Sequence, residues 1–418
     1  MNRFKFVLES RGIGNSLERG WQVASRFGIT AARMERRLVA YADLLAQHGA
    51  RPSLPITARV LARNPDVARG LVRRGVELCV HGLVHNDLSA LTPEVQAEQV
   101  KAACAIFREH GIPFSGFRSP YLKYNRGTLE AVAEAGFAYD SNLPFLWAPL
   151  GSLNDLAPHE REGLEMGLRF YRPVRHPEER SLPRFDGNVV EIPVSLPDDE
   201  ILLDRMGCPL EKLGRVWHEM LAMALARGEL VTLQLHPERL EILRDVLDGV
   251  LAEAASTGTV WIATLGEIAG WWRERVATGL TVEEVSTKTF SVRASGTVRS
   301  AVSLAGAAHG PGPSLALPAT LTSTHRPLIG VHPRVDQPLR LKLKEAGYFI
   351  EESIDSEMYT VYVSPGMRLR EIDGAVGAAP EPLLMQSTWP SPFKAALAAT
   401  GDIDCLTLGD FARRFRED

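Results

Sequence analysis

The chain has 418 residues, of which 45% are hydrophobic and 23% charged, with a formal net charge of −4. Such a length points to two domains, or to one large domain with an insertion, and the composition is that of a globular protein with ample material for a core. The mild acidity gives no support for a nucleic-acid partner, which would favour a basic face, and no apolar run is long enough for a membrane span.

The opening "MNRFKFVLES" is too short and too charged for a signal-peptide core. Residues 30–280 then alternate helix and strand signals. "TAARMERRLVAYADLLAQHG" has apolar residues at helical spacing and ends on Gly49. "VELCV" (76–80) reads as a buried strand. "LTPEVQAEQVKAACAIFREHG" offers Thr92 as N-cap, Pro93 in the first turn and Gly111 past the end. "FSGFR" (114–118) is strand-like, and "NRGTLEAVAEAGF" is a short helix closed by Gly136. Residues 137–187 read as a Pro-rich irregular stretch, of the kind that shapes sites in compact domains. "NVVEIPVSL" (188–196) is a strand, and the helix "LEKLGRVWHEMLAMALARG" stops at Gly228. "LVTLQLH" (230–236) is a strand, followed by a helix from Pro237 to about Ser256. "TVWIATL" (259–265) is a further strand, and the helix after it carries Trp271 and Trp272. That order implies parallel strands with crossover helices, as an open sheet or a barrel.

Near residue 281 the texture changes. Residues 281–324 are rich in Thr, Ser, Val, Gly and Ala, and "AAHGPGPSLALP" reads as a loop or linker. "PLIGVHP", a helix "QPLRLKLKEAG", and the strands "YFIEES" and "MYTVYV" suggest a small α+β module. A helical pattern returns only in the last residues. The four cysteines, Cys79, Cys104, Cys208 and Cys405, have no CxxC spacing and read as reduced thiols of a cytoplasmic protein.

Three short motifs carry chemistry. "CVHGLVH" places His81 and His85 four apart just after a buried strand, and on a helical turn both imidazoles would reach one cation. In "GFRSPY", Arg118 emerges at a strand end and Pro120 fixes the backbone after it. "LQLHP" places His236 at the end of an apolar strand. Each alone has a plainer reading: capping histidines, a solvated arginine, a buried and satisfied histidine. All three, however, follow different strands, and strand C-termini are where parallel α/β proteins assemble sites.

"HGLVH", "FRSPY" and "LQLHP", in this order and at these separations, resemble the metal-dependent polysaccharide deacetylases of the NodB-like type, carbohydrate esterase family 4. The resemblance covers roughly residues 30–275 and includes "GTLEAVAEAGFAYDSN". That family begins with a strand ending in an acid pair ahead of the first helix. Here the corresponding "SLERGWQVASRFGI" contains no aspartate. "WPSPFKAALAATGDIDCLTL", close to the C-terminus, is similar to the missing first strand, with Asp402 and Asp404 spaced D-x-D. Two acids at the mouth of a buried strand need a cation or another partner. The fold is therefore expected to be a circularly permuted, distorted (β/α) barrel with an inserted α+β module.

The resemblance implies one divalent ion, most simply zinc, held by Asp404, His81 and His85. It implies Asp402 as general base, with Arg118 holding it ionised, and His236 as general acid. It further implies the backbone N–H of Tyr121 as an oxyanion donor. The acid supporting His236 stays open among Asp140, Asp198 and Asp199, and Gly401 stands where the family often has a bulkier residue.

The expected function is hydrolysis of the N-acetyl group of an amino sugar or glycan precursor, met in the cytoplasm. The boundaries expected are 1–280 for most of the barrel, 281–385 for the module, and 386–418 for the strand that completes the barrel. No nucleic acid and no membrane span are expected, and a homo-oligomer is compatible with the sequence. Two alternatives are a metal-dependent hydrolase of a non-sugar amide, and a non-catalytic glycan-binding or scaffold protein. The last requires Asp402 and Asp404 to lie far from the histidines.

Overall fold

A computed structural model of the chain describes residues 27–147, 151–171, 173–175, 179–295, 299–305, 314–381 and 383–417. The expectations for "MNRFKFVLES", for most of "SLERGWQVASRFGI" and for part of "AAHGPGPSLALP" lie outside the described residues.

The first part of the chain alternates as expected. It runs α1 (Ala32–Gln47), β1 (Ser53–Ile56), α2 (Ala58–Arg63), α3 (Pro65–Arg73), β2 (Glu77–Val80), α4 (Pro93–Glu109), β3 (Gly116–Phe117) and α5 (Arg126–Glu134). Then follow β4 (Tyr139–Asp140), β5 (Pro144–Leu146), α6 (Pro158–Phe170), β6 (Arg184–Asp186), β7 (Val189–Glu191), β8 (Val194–Leu196) and α7 (Leu210–Arg227). β9 (Leu230–Leu235), α8 (Leu240–Ser256), β10 (Val260–Ile262) and α9 (Leu265–Ala277) complete it. Local signals explain the ends. Asn125 and Thr128 form a reciprocal capping box on α5, and α7 ends where Gly228 takes a left-handed φ of 70°. Leu38, Tyr41 and Leu45, spaced three and four apart on α1, are fully buried.

The second part contains β11 (Leu280–Ser286), β12 (Thr289–Ala294), β13 (Ser300–Ala305), β14 (Ser314–Leu315), β15 (Ala319–Thr322) and β16 (Arg326–Val331). It continues with α10 (Gln337–Glu345), β17 (Ile350–Glu352), β18 (Tyr359–Val363), α11 (Leu369–Gly377) and β19 (Leu383–Pro390), and the chain returns through β20 (Ala395–Gly401) to α12 (Leu408–Glu417).

The large sheet runs β10-β20-β1-β2-β3-β4-β7-β6, and β9 also pairs with β20. Every pairing in it is parallel except β6 with β7. It is a curled α/β sheet that forms an incomplete barrel. β20 lies in its interior: Ala396–Gly401 pair with Leu230–Leu235, Ala395–Leu397 with Val260–Ile262, and Thr400 with Ser53. All seven of its residues are buried, as a small, uncharged strand covered on both faces must be. Cys79, Tyr139, Leu230, Ala396 and Ala398 form a cluster closed by Trp271 and Trp272 of α9.

Beyond β10 the chain builds three small sheets, ordered β11-β12-β15, β14-β13-β19 and β17-β16-β18. The last is parallel, with α10 and α11 packed against it. The strand β19 continues past residue 385, where a boundary was expected, and pairs with β13 through Pro390. Buried Arg275 of α9 ties the two parts together by donating to the carbonyls of Lys344, Glu345 and Ser387.

Three expectations for local structure need correction. The stretch 137–187 contains the thirteen-residue helix α6. Its Gly163 and Gly167 look like breakers, but they let a neighbouring turn approach. A Cβ at Gly163 would meet the Arg205 carbonyl oxygen at 2.2 Å, and one at Gly167 the Ile201 side chain at 2.7 Å. That turn, Glu200–Arg205, is π-helical. Within "AAHGPGPSLALP", read as a loop or linker, Ser314–Leu315 form the strand β14, and α11 is a further helix where none was expected. All four cysteines are buried and unpaired, and among the described residues no helix is long and apolar enough to cross a membrane.

Candidate metal centre and active site

Parallel strands end at a common edge, and the register sets what meets there. Ile56 pairs with Val80 and bridges to Ile403, while Val80 pairs with Phe117. The residues that follow, His81, Arg118 and Asp404, therefore leave neighbouring strands at one level. Ile403 is fully buried, so Asp402 and Asp404 on either side of it share the opposite face.

His81 is fully buried, and its Nδ1 lies 2.8 Å from the Arg118 carbonyl oxygen. A carbonyl can only accept, so Nδ1 carries the proton and Nε2 offers its lone pair to the site. His85 reaches the same point by a bend in place of the expected helical turn. Gly82 adopts a φ of +75°, where a Cβ would lie 3.1 Å from the Val84 carbonyl oxygen. The two rings then meet edge to face with centroids 5.1 Å apart.

Asp404 Oδ1 lies 3.1 Å from His85 Nε2 and 3.5 Å from His81 Nε2. One ligand atom from each of the three residues falls within 4.8 Å of the others. Among the described residues, His81 Nε2 and Asp404 Oδ1 are buried without a hydrogen bond. Lone pairs buried together in this way are costly without a positive partner. The donor set fits a divalent cation. Burial, reinforced by the Arg414 charge, pushes the His85 imidazole down to about 4, so it is neutral at neutral pH. Burial opposes ionisation of Asp404, but His85 and Arg414 outweigh it and hold the carboxyl well below the usual carboxylate range.

Asp402 sits beside this cluster, with Oδ2 4.0 Å from His81 Nε2. Its Oδ1 accepts from Arg118 Nη1 at 3.1 Å and its Oδ2 from Gln234 Nε2 at 3.2 Å. The fully buried Arg118 also donates to Thr400 Oγ1 at 2.8 Å, and to the carbonyl oxygen and Oγ of Ser141 at 3.1 and 2.8 Å.

His236 follows β9, beside the end of β20, because Leu235 pairs with Gly401. The three acids that competed to support it are separated by their contacts. Asp199 Oδ1 lies 2.8 Å from His236 Nδ1, and Asp199 Oδ2 accepts from the His236 backbone N–H at 2.9 Å. Asp198 instead accepts from Tyr171 Oη at 2.9 Å, and Asp140 from Asn142 Nδ2 at 2.9 Å. Burial opposes the charge on both members of the His236–Asp199 pair, but their mutual attraction dominates. His236 is held well above its ordinary value and Asp199 is lowered to about 2. Burial and the Asp199 charge push Asp198 up to about 7.

Tyr121 occupies the left-handed region with φ 60° and ψ 12°. Its ring meets His85 edge to face at 4.4 Å, and its hydroxyl accepts from Arg414 Nη2 at 2.9 Å. Gly401 is closely packed: a Cβ there would lie 3.0 Å from the Pro237 ring and 3.2 Å from Tyr41.

Sequence reasoning missed two residues at this site. Gln234 was legible as an amide in a largely apolar strand, two positions before His236. Arg414, on α12, offered no signal beyond being one of several basic residues in an amphipathic helix.

Residues 32–139 match the family model of polysaccharide deacetylases. The peptidoglycan deacetylase-like protein FGM2 of Gibberella zeae is 30% identical over 81 residues, 19% of this chain, and the chain spans about a quarter (24%) of the length of that curated relative. A solved structure from Mycobacterium smegmatis, assigned to the polysaccharide deacetylases, is 21% identical, with 58% of this chain and 77% of that one covered at a TM-score of 0.43. One from Pseudomonas aeruginosa PAO1, assigned likewise, is 19% identical, with 59% and 74% covered at a TM-score of 0.45. The stretch that matches the polysaccharide deacetylase model carries His81, His85, Arg118 and Tyr121, while His236, Asp402 and Asp404 stand outside it.

Proposed function

We propose that the chain is a metal-dependent hydrolase that removes N-acetyl groups from an amino sugar or glycan precursor. The observation that carries this reading is the convergence of His81, His85 and Asp404, with one ligand atom from each within 4.8 Å of the others. A divalent ion there, with zinc the simplest choice for a His/His/Asp set, supplies polarisation of the amide carbonyl and acidification of water. His81 and His85 would hold it through Nε2, and Asp404 through a carboxylate oxygen. Asp402, oriented by Arg118 and Gln234, accepts the proton of the attacking water at Oδ2. The backbone N–H of Tyr121 donates to the oxyanion that forms. His236 is protonated and bonded to Asp199 through Nδ1, which leaves Nε2 to deliver a proton to the departing amine nitrogen.

On this reading β20 is the family's first strand moved to the C-terminus by circular permutation, and 281–385 is a module inserted ahead of it. The interior position of β20 supports that reading. The substrate is a cytoplasmic glycan precursor. The non-catalytic alternative needed the acids far from the imidazoles, and the 3.1 Å between Asp404 and His85 speaks against it.

The test is acetate release from N-acetylglucosamine oligomers by the metal-loaded protein, with His81→Ala as control. Release that depends on both the ion and His81 supports the proposal. Metal-loaded protein that releases no acetate from any N-acetylated glycan tested would overturn it.

A further inference from the structure

The helix α12 brings a cation onto a carboxylate that the reading above makes a metal ligand. Arg414 Nη1 donates to Asp404 Oδ2 at 2.9 Å, and Arg414 Nη2 donates to Tyr121 Oη at 2.9 Å. The guanidinium also lies 5.5 Å from the centroid of the Tyr121 ring. The approach of the helix is itself held. Asp410, one turn earlier on the same face, accepts from Arg63 Nε at 2.6 Å, from the backbone N–H of Leu406 and Thr407 at 3.2 and 3.0 Å, and from Thr407 Oγ1 at 3.0 Å.

A guanidinium has five donors in a rigid plane and no acceptor. Bound to Oδ2, it takes one carboxylate oxygen out of competition. Oδ1, the oxygen facing both imidazoles, is left as the single ligand atom of Asp404. The other arm of Arg414 holds the hydroxyl of Tyr121, whose ring packs edge to face on His85. We infer that Arg414 is a positioning residue of the metal centre: it orients Asp404 as a one-oxygen ligand and fixes the ring of Tyr121 against His85. This inference rests on the metal-site reading.

Orientation and charge oppose each other here, and that makes the inference testable. A cation beside a divalent ion repels it, so if Arg414 served only charge balance or helix docking, its removal would leave metal binding unchanged or tighter. If it orients the ligand, removal weakens binding, by about 10–100-fold for an outer-shell partner. The full chain, its Arg414→Ala variant and its Arg414→Lys variant are titrated with zinc against a chromophoric chelator. The melting temperature of each metal-free protein is recorded alongside. The expected result is a 10–100-fold rise in the zinc Kd for Arg414→Ala, partial recovery in Arg414→Lys, and similar metal-free melting temperatures. An unchanged or tighter Kd in Arg414→Ala overturns the inference. So does a loss accompanied by an equal fall in metal-free stability in both variants, which would mark a structural residue. If the parent chain itself binds no zinc, the metal-site reading fails first.

Discussion

Arg118 Nη1 lies 3.1 Å from Asp402 Oδ1, with the arginine side chain fully closed to solvent and the aspartate almost so. Two charges buried this deeply are tolerated because each satisfies the other and Arg118 makes further hydrogen bonds to Thr400 and Ser141. Removing one partner leaves the other uncompensated. Arg118→Ala should lose about 3–5 kcal/mol of stability, measured by denaturant unfolding of the metal-free protein. A loss below about 1 kcal/mol, on the scale of an exposed pair, would show that the two groups are not held as described.

The two acids of the D-x-D pair should behave differently. Asp404→Ala removes the carboxylate proposed as a ligand, so the divalent ion expected at about one per chain in the parent should be lost, read by elemental analysis. Asp402→Asn keeps the shape and the hydrogen bond from Arg118 to Oδ1, so the ion should stay while turnover falls by about 10²–10⁴-fold. Equal metal content in the parent and in Asp404→Ala would refute the ligand assignment.

The His236–Asp199 pair sets a pH dependence. The folded-state pKa of His236 is raised, so its stabilising contribution is complete below about 6.5, the unfolded value, and is lost as pH rises through the folded value. Asp199 is lowered to about 2, so its contribution is complete above about 3.9 and is lost as pH falls toward 2. Both are complete only between those limits. Asp199→Asn removes the charge that holds the proton on His236, so the alkaline limb of kcat/KM should move to lower pH. Titration of the His236 ring by NMR should show the same direction. An alkaline limb that stays in place would mean that another group supplies the proton.

β20 should be indispensable for folding. It pairs with β9, β10 and β1 and is buried throughout. Deleting residues 391–418 would leave the facing backbone groups of three strands unpaired and should yield insoluble protein. The milder Leu397→Ala, at a fully buried position, should cost about 2–5 kcal/mol, measured by denaturant unfolding. A soluble, cooperatively folding truncation would contradict the interior placement of the strand.

Much of the α/β alternation was legible because its signals are local. The stops at Gly136 and Gly228 and the buried run before His81 depend only on residues a few positions apart. The histidines, Arg118 and the D-x-D pair could be marked as chemistry-bearing for the same reason. Local signals misled where packing overrode propensity. Gly163 and Gly167 look like breakers, yet they sit inside a helix because the turn at Glu200–Arg205 needs the space a side chain would fill.

What the sequence by itself determined is the set of strands, their buried character and the residues waiting at their ends. Only the tertiary structure decided which ends meet. An apolar run such as "AALAATG" satisfies its pattern at any interior position of a sheet, so periodicity cannot order strands. Register places Asp404 beside His85, and the same packing selects Asp199 over Asp198 and Asp140 as the partner of His236. Arg414 meets Asp404 because Asp410 anchors α12 to Arg63, far earlier in the chain. Each of these depends on distances across the fold, which burial and strand pairing set together and no short stretch of residues encodes.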